Sequence, residues 1–152
     1  MKRLRKLLAL CPAERRLAAA AWCELHRVRR AIARRPLPEV AEMCRVRGER
    51  RRREALPPER VVALIAAAAH AHRGRCHCLE QSLAGHVLLT SMGSEHELRI
   101  GVDRREGEFR AHAWIEAEGI APDAASSSMT TIWSATPDCG AGRPMNRAAA
   151  TP

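Results

Sequence analysis

The chain has no tyrosine, one phenylalanine and three tryptophans in 152 residues. Single-stranded nucleic acids are held on aromatic platforms along a basic groove, and here only Phe109, Trp22, Trp114 and Trp133 are available to stack on a base. Acidic side chains are also scarce: 17 Asp and Glu stand against 26 Lys and Arg, a formal charge of +9. Such an excess favours anionic partners. No nucleic-acid-binding motif accompanies it, however, and no nucleic-acid partner is expected. Arginine and alanine are abundant throughout, as a compositional bias would make them.

Long hydrophobic runs are missing too. No stretch approaches the roughly 20 apolar residues needed to span a bilayer. The basic start, Met1 to Cys11, imitates a secretory signal. Its apolar run, Leu7 to Leu10, is far shorter than the roughly 7–15 residues of a signal core, and Leu10 stands where a small residue would precede a cleaved cysteine. This segment predicts a basic amphipathic helix in a cytoplasmic protein. The six cysteines, Cys11, Cys23, Cys44, Cys76, Cys78 and Cys139, are too sparse for a disulfide scaffold. Paired C-x₂₋₄-C steps of zinc sites are absent; Cys76-His77-Cys78 among His70, His72, His86 and His96 does not fit that pattern. Neither a metal nor another cofactor is expected.

The length predicts one domain with one core. An N-terminal helical region covers residues 1–56, a catalytic core 57–139, and a Gly/Pro/Ala-rich tail, read as disordered, 140–152. Alanine, leucine and arginine recur at helical spacing from Leu4 to about Ala33, with a break at Cys11-Pro12 and a stop at Pro36-Leu37-Pro38, which predicts two short helices. A third covers Glu39 to Val46. Arg47 to Arg53 then read as a solvated connector. Pro57-Pro58-Glu59 opens a helix that runs to about His72.

From Cys78 the helical stripe Leu79, Leu83, Val87 leads to a stop at Gly93. Beyond Gly93 the period becomes two. Leu98, Ile100 and Val102, then Phe109, Ala111, Ala113 and Ile115, alternate with polar residues across Arg104-Arg105-Glu106-Gly107, the pattern of a β-hairpin. Further short strands are expected after Gly119 and over Thr130 to Trp133. Helices followed by an antiparallel sheet give an α+β fold.

Cys78, at the start of a helix, is placed where a thiol gains thiolate character, and His112, in the second hairpin strand, is a candidate base. A third group must hold the imidazole by its other nitrogen. Asp123, one short turn beyond the histidine strand, is the first choice and Asp138 the reserve. The Cys78 N–H at the helix start is a natural oxyanion donor. Trp114 either shields this pair from water or fills core, and Glu116 is suited to pairing with an arginine. One conflict is legible. The hairpin's apolar face is opposite His112, so a helix packed there turns the histidine away from the thiol. Either the helix end overhangs a twisted sheet edge, or the His112 face is the covered one.

Cys78-Leu79-Glu80-Gln81-Ser82-Leu83-Ala84, Leu98-Arg99-Ile100-Gly101-Val102, and Ala111-His112-Ala113-Trp114-Ile115-Glu116 with Gly119 resemble, in order and spacing, the transglutaminase-like cysteine proteases of lasso peptide biosynthesis. The resemblance covers about a third of the chain, from Cys76 to Asp123. It implies a transglutaminase-like or papain-like core in which Cys78 is the nucleophile, His112 the base and Asp123 the orienting acid. It also implies a leader peptidase that cuts a ribosomally made precursor at the leader–core junction and frees the core amine for a separate cyclase. With only 77 residues before Cys78, all read as helical, the chain resembles the stand-alone protease form, which implies a separate winged-helix leader-binding partner. The rival reading is a non-enzymatic partner-binding module with a vestigial or zinc-bound Cys/His site.

Overall fold

The computed structural model describes residues 10–72, 76–105, 108–120, 125–137 and 143–144. The first described helix, α1 (Pro12–Ile32), is a single element of 21 residues. Cys11 caps it: Glu14 Oε2 accepts from the Cys11 N–H at 2.8 Å, and Pro12 occupies the first turn, where a missing N–H costs nothing. Residues 1–9, where a preceding helix is expected, lie outside the described part.

Leu17, Ala21, Leu25 and Val28 form the buried stripe of α1, and Glu24 lies among them at 2% exposure. A buried carboxylate needs partners. Arg47, from the next helix α2 (Leu37–Glu49), supplies them with Nε at 2.8 and 3.0 Å from the two carboxylate oxygens, and Arg27 adds a contact at 3.0 Å. Residues 47–49, expected in a solvated connector, are therefore helical, and α2 also starts earlier than expected. Gly48 lets this last turn of the helix pack closely against its neighbour. It is buried so close to the helix that carries Thr90 that an added Cβ would come within 2.6 Å of Thr90 Cβ.

Helix α3 (Pro58–Ala71) matches its sequence signals and buries Val61, Leu64, Ile65, Ala68 and Ala69. Helix α4 (Cys78–Met92) is the centre of the molecule. It contacts α1, α2, α3 and both strands of the hairpin, and every residue from Ser82 to Ser91 is buried. Leu83, Leu88 and Leu89 are 0% exposed, each worth about 1.5–3 kcal/mol of transfer free energy. Gly93 ends α4 in the left-handed conformation at φ 68°, which glycine adopts without a Cβ penalty. Within α4, His86 meets His96 with Nδ1 2.8 Å from Nε2, and His96 Nδ1 lies 2.8 Å from the Ser94 carbonyl.

The antiparallel sheet has the order β2-β1-β3-β4, formed by β1 (Glu97–Arg105), β2 (Glu108–Glu116), β3 (Thr130–Ala135) and the two-residue β4 (Arg143–Pro144). Leu98 pairs with Ile115 and Ala135, and Ile100 with Ala113 and Trp133, so one face carries the apolar set. Helix α4 packs there. Gly119 and Ile120 form a turn and coil; the rest of the strand expected after Gly119 falls on residues 121–124, outside the described part, as do residues 138–142 and 145–152. Among the described residues no helix is long and apolar enough to cross a membrane.

Candidate active site

Cys78 is the first residue of α4. The His77 N–H donates to Glu80 Oε2 at 2.9 Å, which fixes the helix start. The amide of a first-turn residue has no acceptor within its own helix, so the Cys78 N–H is not used by the backbone ladder of α4. Gln81 Nε2 donates to the Cys76 carbonyl at 3.0 Å and pins the segment that leads into Cys78.

Two contacts set how α4 lies along β2. Ser82 Oγ donates to the Ala113 carbonyl at 2.9 Å, and Gly85 packs so near Ile115 that an added Cβ would stand 3.3 Å from its Cγ1. Helix and strand thus advance in the same direction. Four residues back from Ser82 is about 6 Å along a helix, or nearly two residues of strand. That brings Cys78 to the level of Ala111 and His112. Cys78 and His112 do line one cavity of about 320 Å³, with Val62, Ile65, Gln81, Ser82, Gly85, Ala113, Trp114, Ile115 and Ile120.

The sheet's edge bears on the conflict over faces. Successive strand residues point to opposite faces, yet 112–115 all line this cavity. Along the side of a strand a cavity can meet consecutive residues whatever face their side chains take, and β2 is an edge strand. Helix α4 packs on the apolar face, and Cys78 in its first turn lines the same cavity as His112.

On the outer face, His112 stacks with Trp114 at a ring-centroid distance of 5.9 Å and 13° between planes. Trp114 is held in turn. Its Nε1–H donates to Glu116 Oε1 at 3.0 Å, Glu116 Oε2 lies 3.1 Å from Arg99 Nη2, and Arg99 pairs with Glu97 at 2.7 Å. Opposite His112 in register is Gly101, where a Cβ would come within 2.8 Å of both the Trp114 ring and Met129 Cβ. Only a glycine lets the indole lie there. Trp114 packs beside His112 while only 8% exposed, and Glu116 has its arginine.

Asp123 and Asp138 both lie outside the described residues. Ile120, three positions before Asp123, lines the cavity, whereas Pro137, next to Asp138, lines a different one with Glu49, Arg52 and His96. Cys76 packs against the core, and burial, then the neighbouring Glu80, push its thiol pKa up while Arg29 opposes them. Among the described residues no group of three or more His, Cys, Asp or Glu is disposed to hold a metal ion. Ser82, Gly85, Val62, Ile65 and Ile120 had no site role in the sequence reading. Gln81 and Ser82 do sit within the motif around Cys78, but the others are ordinary apolar positions.

No curated protein and no solved structure gave a significant match to the chain. A family model described as the transglutaminase-like superfamily matches residues 7–134, which include all four helices, the hairpin and nearly all of β3. That superfamily includes cysteine peptidases, and its fold is commonly used by cysteine proteases and acyltransferases. The match takes in Cys78 and His112 within one continuous span, and the chain belongs to the transglutaminase-like superfamily.

Proposed function

We propose that the protein is a cysteine peptidase that removes the leader from a ribosomally made lasso peptide precursor, so that the core can be macrocyclised. The observation that carries the peptidase reading is the shared cavity of Cys78 and His112, with the thiol at a helix start. The thiolate attacks the carbonyl at the leader–core junction, and the Cys78 N–H receives the developing oxyanion. His112 takes the thiol proton and returns it to the departing amine. Water then hydrolyses the thioester and regenerates the thiol. No cofactor enters these steps.

Asp123 is the proposed third member. Three residues span at most about 10 Å when extended, so the position of Ile120 in the cavity supports Asp123 over Asp138, whose neighbour Pro137 borders other residues. The lasso precursor as substrate is supported by the motif around Cys78, Ile100-Gly101-Val102 and His112-Ala113-Trp114-Ile115-Glu116. With it come a separate winged-helix leader-binding protein and the lasso cyclase as proposed partners.

Incubation of purified protein with a precursor peptide and the leader-binding partner, followed by mass spectrometry, tests the reading. Cys78→Ala and His112→Ala are each expected to abolish leader removal with the circular dichroism spectrum unchanged. Cleavage at the wild-type rate by Cys78→Ala would falsify the assignment. Asp123→Asn is expected to cost orders of magnitude in rate by losing the imidazole's orientation. If Asp138→Asn does so instead, the third residue is Asp138.

A further inference from the structure

We propose that the cavity beside Cys78 is a side-chain subsite that selects an aliphatic residue on the acyl side of the scissile bond; this deepens, and rests on, the reading of Cys78 as nucleophile. Beyond Cys78, Gln81, Ser82 and His112, the wall consists of Val62 and Ile65 from α3, Gly85 from α4, Ala113, Trp114 and Ile115 from β2, and Ile120. Among the described residues no Asp, Glu, Lys or Arg lines it. Burying a charged substrate side chain there would leave the charge unpaired, which is costly, whereas an aliphatic chain gains by leaving water.

The direction of the cavity assigns the side. Along β2 the wall runs from His112 to Ile115, three residues and about 10 Å. The leaving amine must lie at the His112 end, because the imidazole gives it a proton. The acyl portion, bound to Sγ as the thioester, extends the other way, along α4 toward Gly85, Ile65 and Ile115. Gly85 closes this end: α4 approaches so near that an added Cβ would stand 3.3 Å from Ile115 Cγ1 and 3.7 Å from Ile65 Cδ1, so the cavity ends against aliphatic side chains. A volume of about 320 Å³ is at the small end of ligand pockets, suited to one side chain and the adjoining backbone.

The test uses two sets of chloromethyl ketones, Ac-Gly-X-CH₂Cl and Ac-X-Gly-CH₂Cl, with X as Leu, Ile, Met, Gly, Asp or Lys. In each, Sγ forms a thioether with the methylene carbon, chloride departs with the bonding electrons, and the thiol proton passes to His112. Labelling rates of Cys78 are followed by mass spectrometry on the full chain and divided by the iodoacetamide rate of the same protein. In one of the two sets the aliphatic probes are expected to exceed Gly, Asp and Lys by tenfold or more, a difference of about 1.4 kcal/mol. In Val62→Glu, the ratio of Lys to Leu probe is expected to rise at least tenfold. Flat rates across X in both sets, or faster labelling by a charged probe, overturn the subsite while the nucleophile assignment stands. A Cys78 inert to iodoacetamide and to every probe overturns the nucleophile itself, and the subsite with it.

Discussion

Cys76 and Cys78 stand two positions apart and have opposite chemical prospects. The Cys76 thiol is partly buried against the core beside Glu80, and its raised pKa keeps it protonated, whereas Cys78 opens a helix onto a cavity it shares with an imidazole. Iodoacetamide at mildly acidic pH, with peptide mapping, is expected to modify Cys78 first. Equal or preferential labelling of Cys76 would count against the assignment, and an inert Cys78 would favour the rival non-catalytic module. Gly101 supports a second expectation. A methyl group there meets the Trp114 ring and Met129 at 2.8 Å, and overpacking of this kind costs about 1–3 kcal/mol. Because Trp114 stacks on His112, Gly101→Ala is expected to lower kcat as well as the unfolding midpoint; a stability loss with kcat intact would mean that the indole fills space without positioning the base.

Helix α4 and strand β2 are joined near the candidate site by the Ser82–Ala113 hydrogen bond, in which Ser82 is 6% exposed. Ser82→Ala leaves a buried carbonyl without that donor, an expected loss of about 1–2 kcal/mol. Since the bond also sets the level of Cys78 against His112, the leader-cleavage rate is expected to fall with KM little changed, and Ser82→Thr to restore part of it. Elsewhere, α1 is tied to α2 by Glu24, 2% exposed, and Arg47, whose side chain is 31% exposed. Removing one partner of a fully buried pair costs about 3–5 kcal/mol; with Arg47 reaching solvent, Glu24→Ala is expected to cost about 2–3 kcal/mol in urea denaturation. Leu17, Ala21, Leu25 and Val28 follow the i, i+3/i+4 spacing of a buried helix face, but a glutamate within it resembles any surface acid until its partner from another helix is in place.

Across the whole molecule, the buried His86–His96 pair ties stability to pH. The Ser94 carbonyl can only accept, so His96 Nδ1 carries the proton and its Nε2 accepts from His86 Nδ1–H. Burial, then the neighbouring His96 and Arg45, outweigh the opposing influence of Glu42 and lower the His86 pKa to about 3; burial lowers that of His96 as well. A depressed folded-state value means that the unfolded chain binds the extra proton. Stability is therefore full above the ordinary histidine value of about 6.5 and falls as pH drops below it toward 3, by about 1.4 kcal/mol per pH unit for each such proton. Denaturation at pH 7.5 and 5.5, where carboxylates stay ionised, is expected to show this loss in the native chain and a smaller one in His86→Leu; equal losses would remove the pair as its source. Helix and strand periodicity, Pro58 in the first turn of α3, the cap at Gly93, and the motif residues Cys78 and His112 are all set locally, so the chain's order alone determined the α+β class and the candidate pair Cys78 and His112. Which face of the hairpin is covered, that β2 is the edge strand, the pairing of Glu24 with Arg47 and the aliphatic walls of the cavity depend on contacts between residues distant in sequence. Only the tertiary structure decided them, because a side chain's partner across an interface leaves no trace in the spacing of its neighbours.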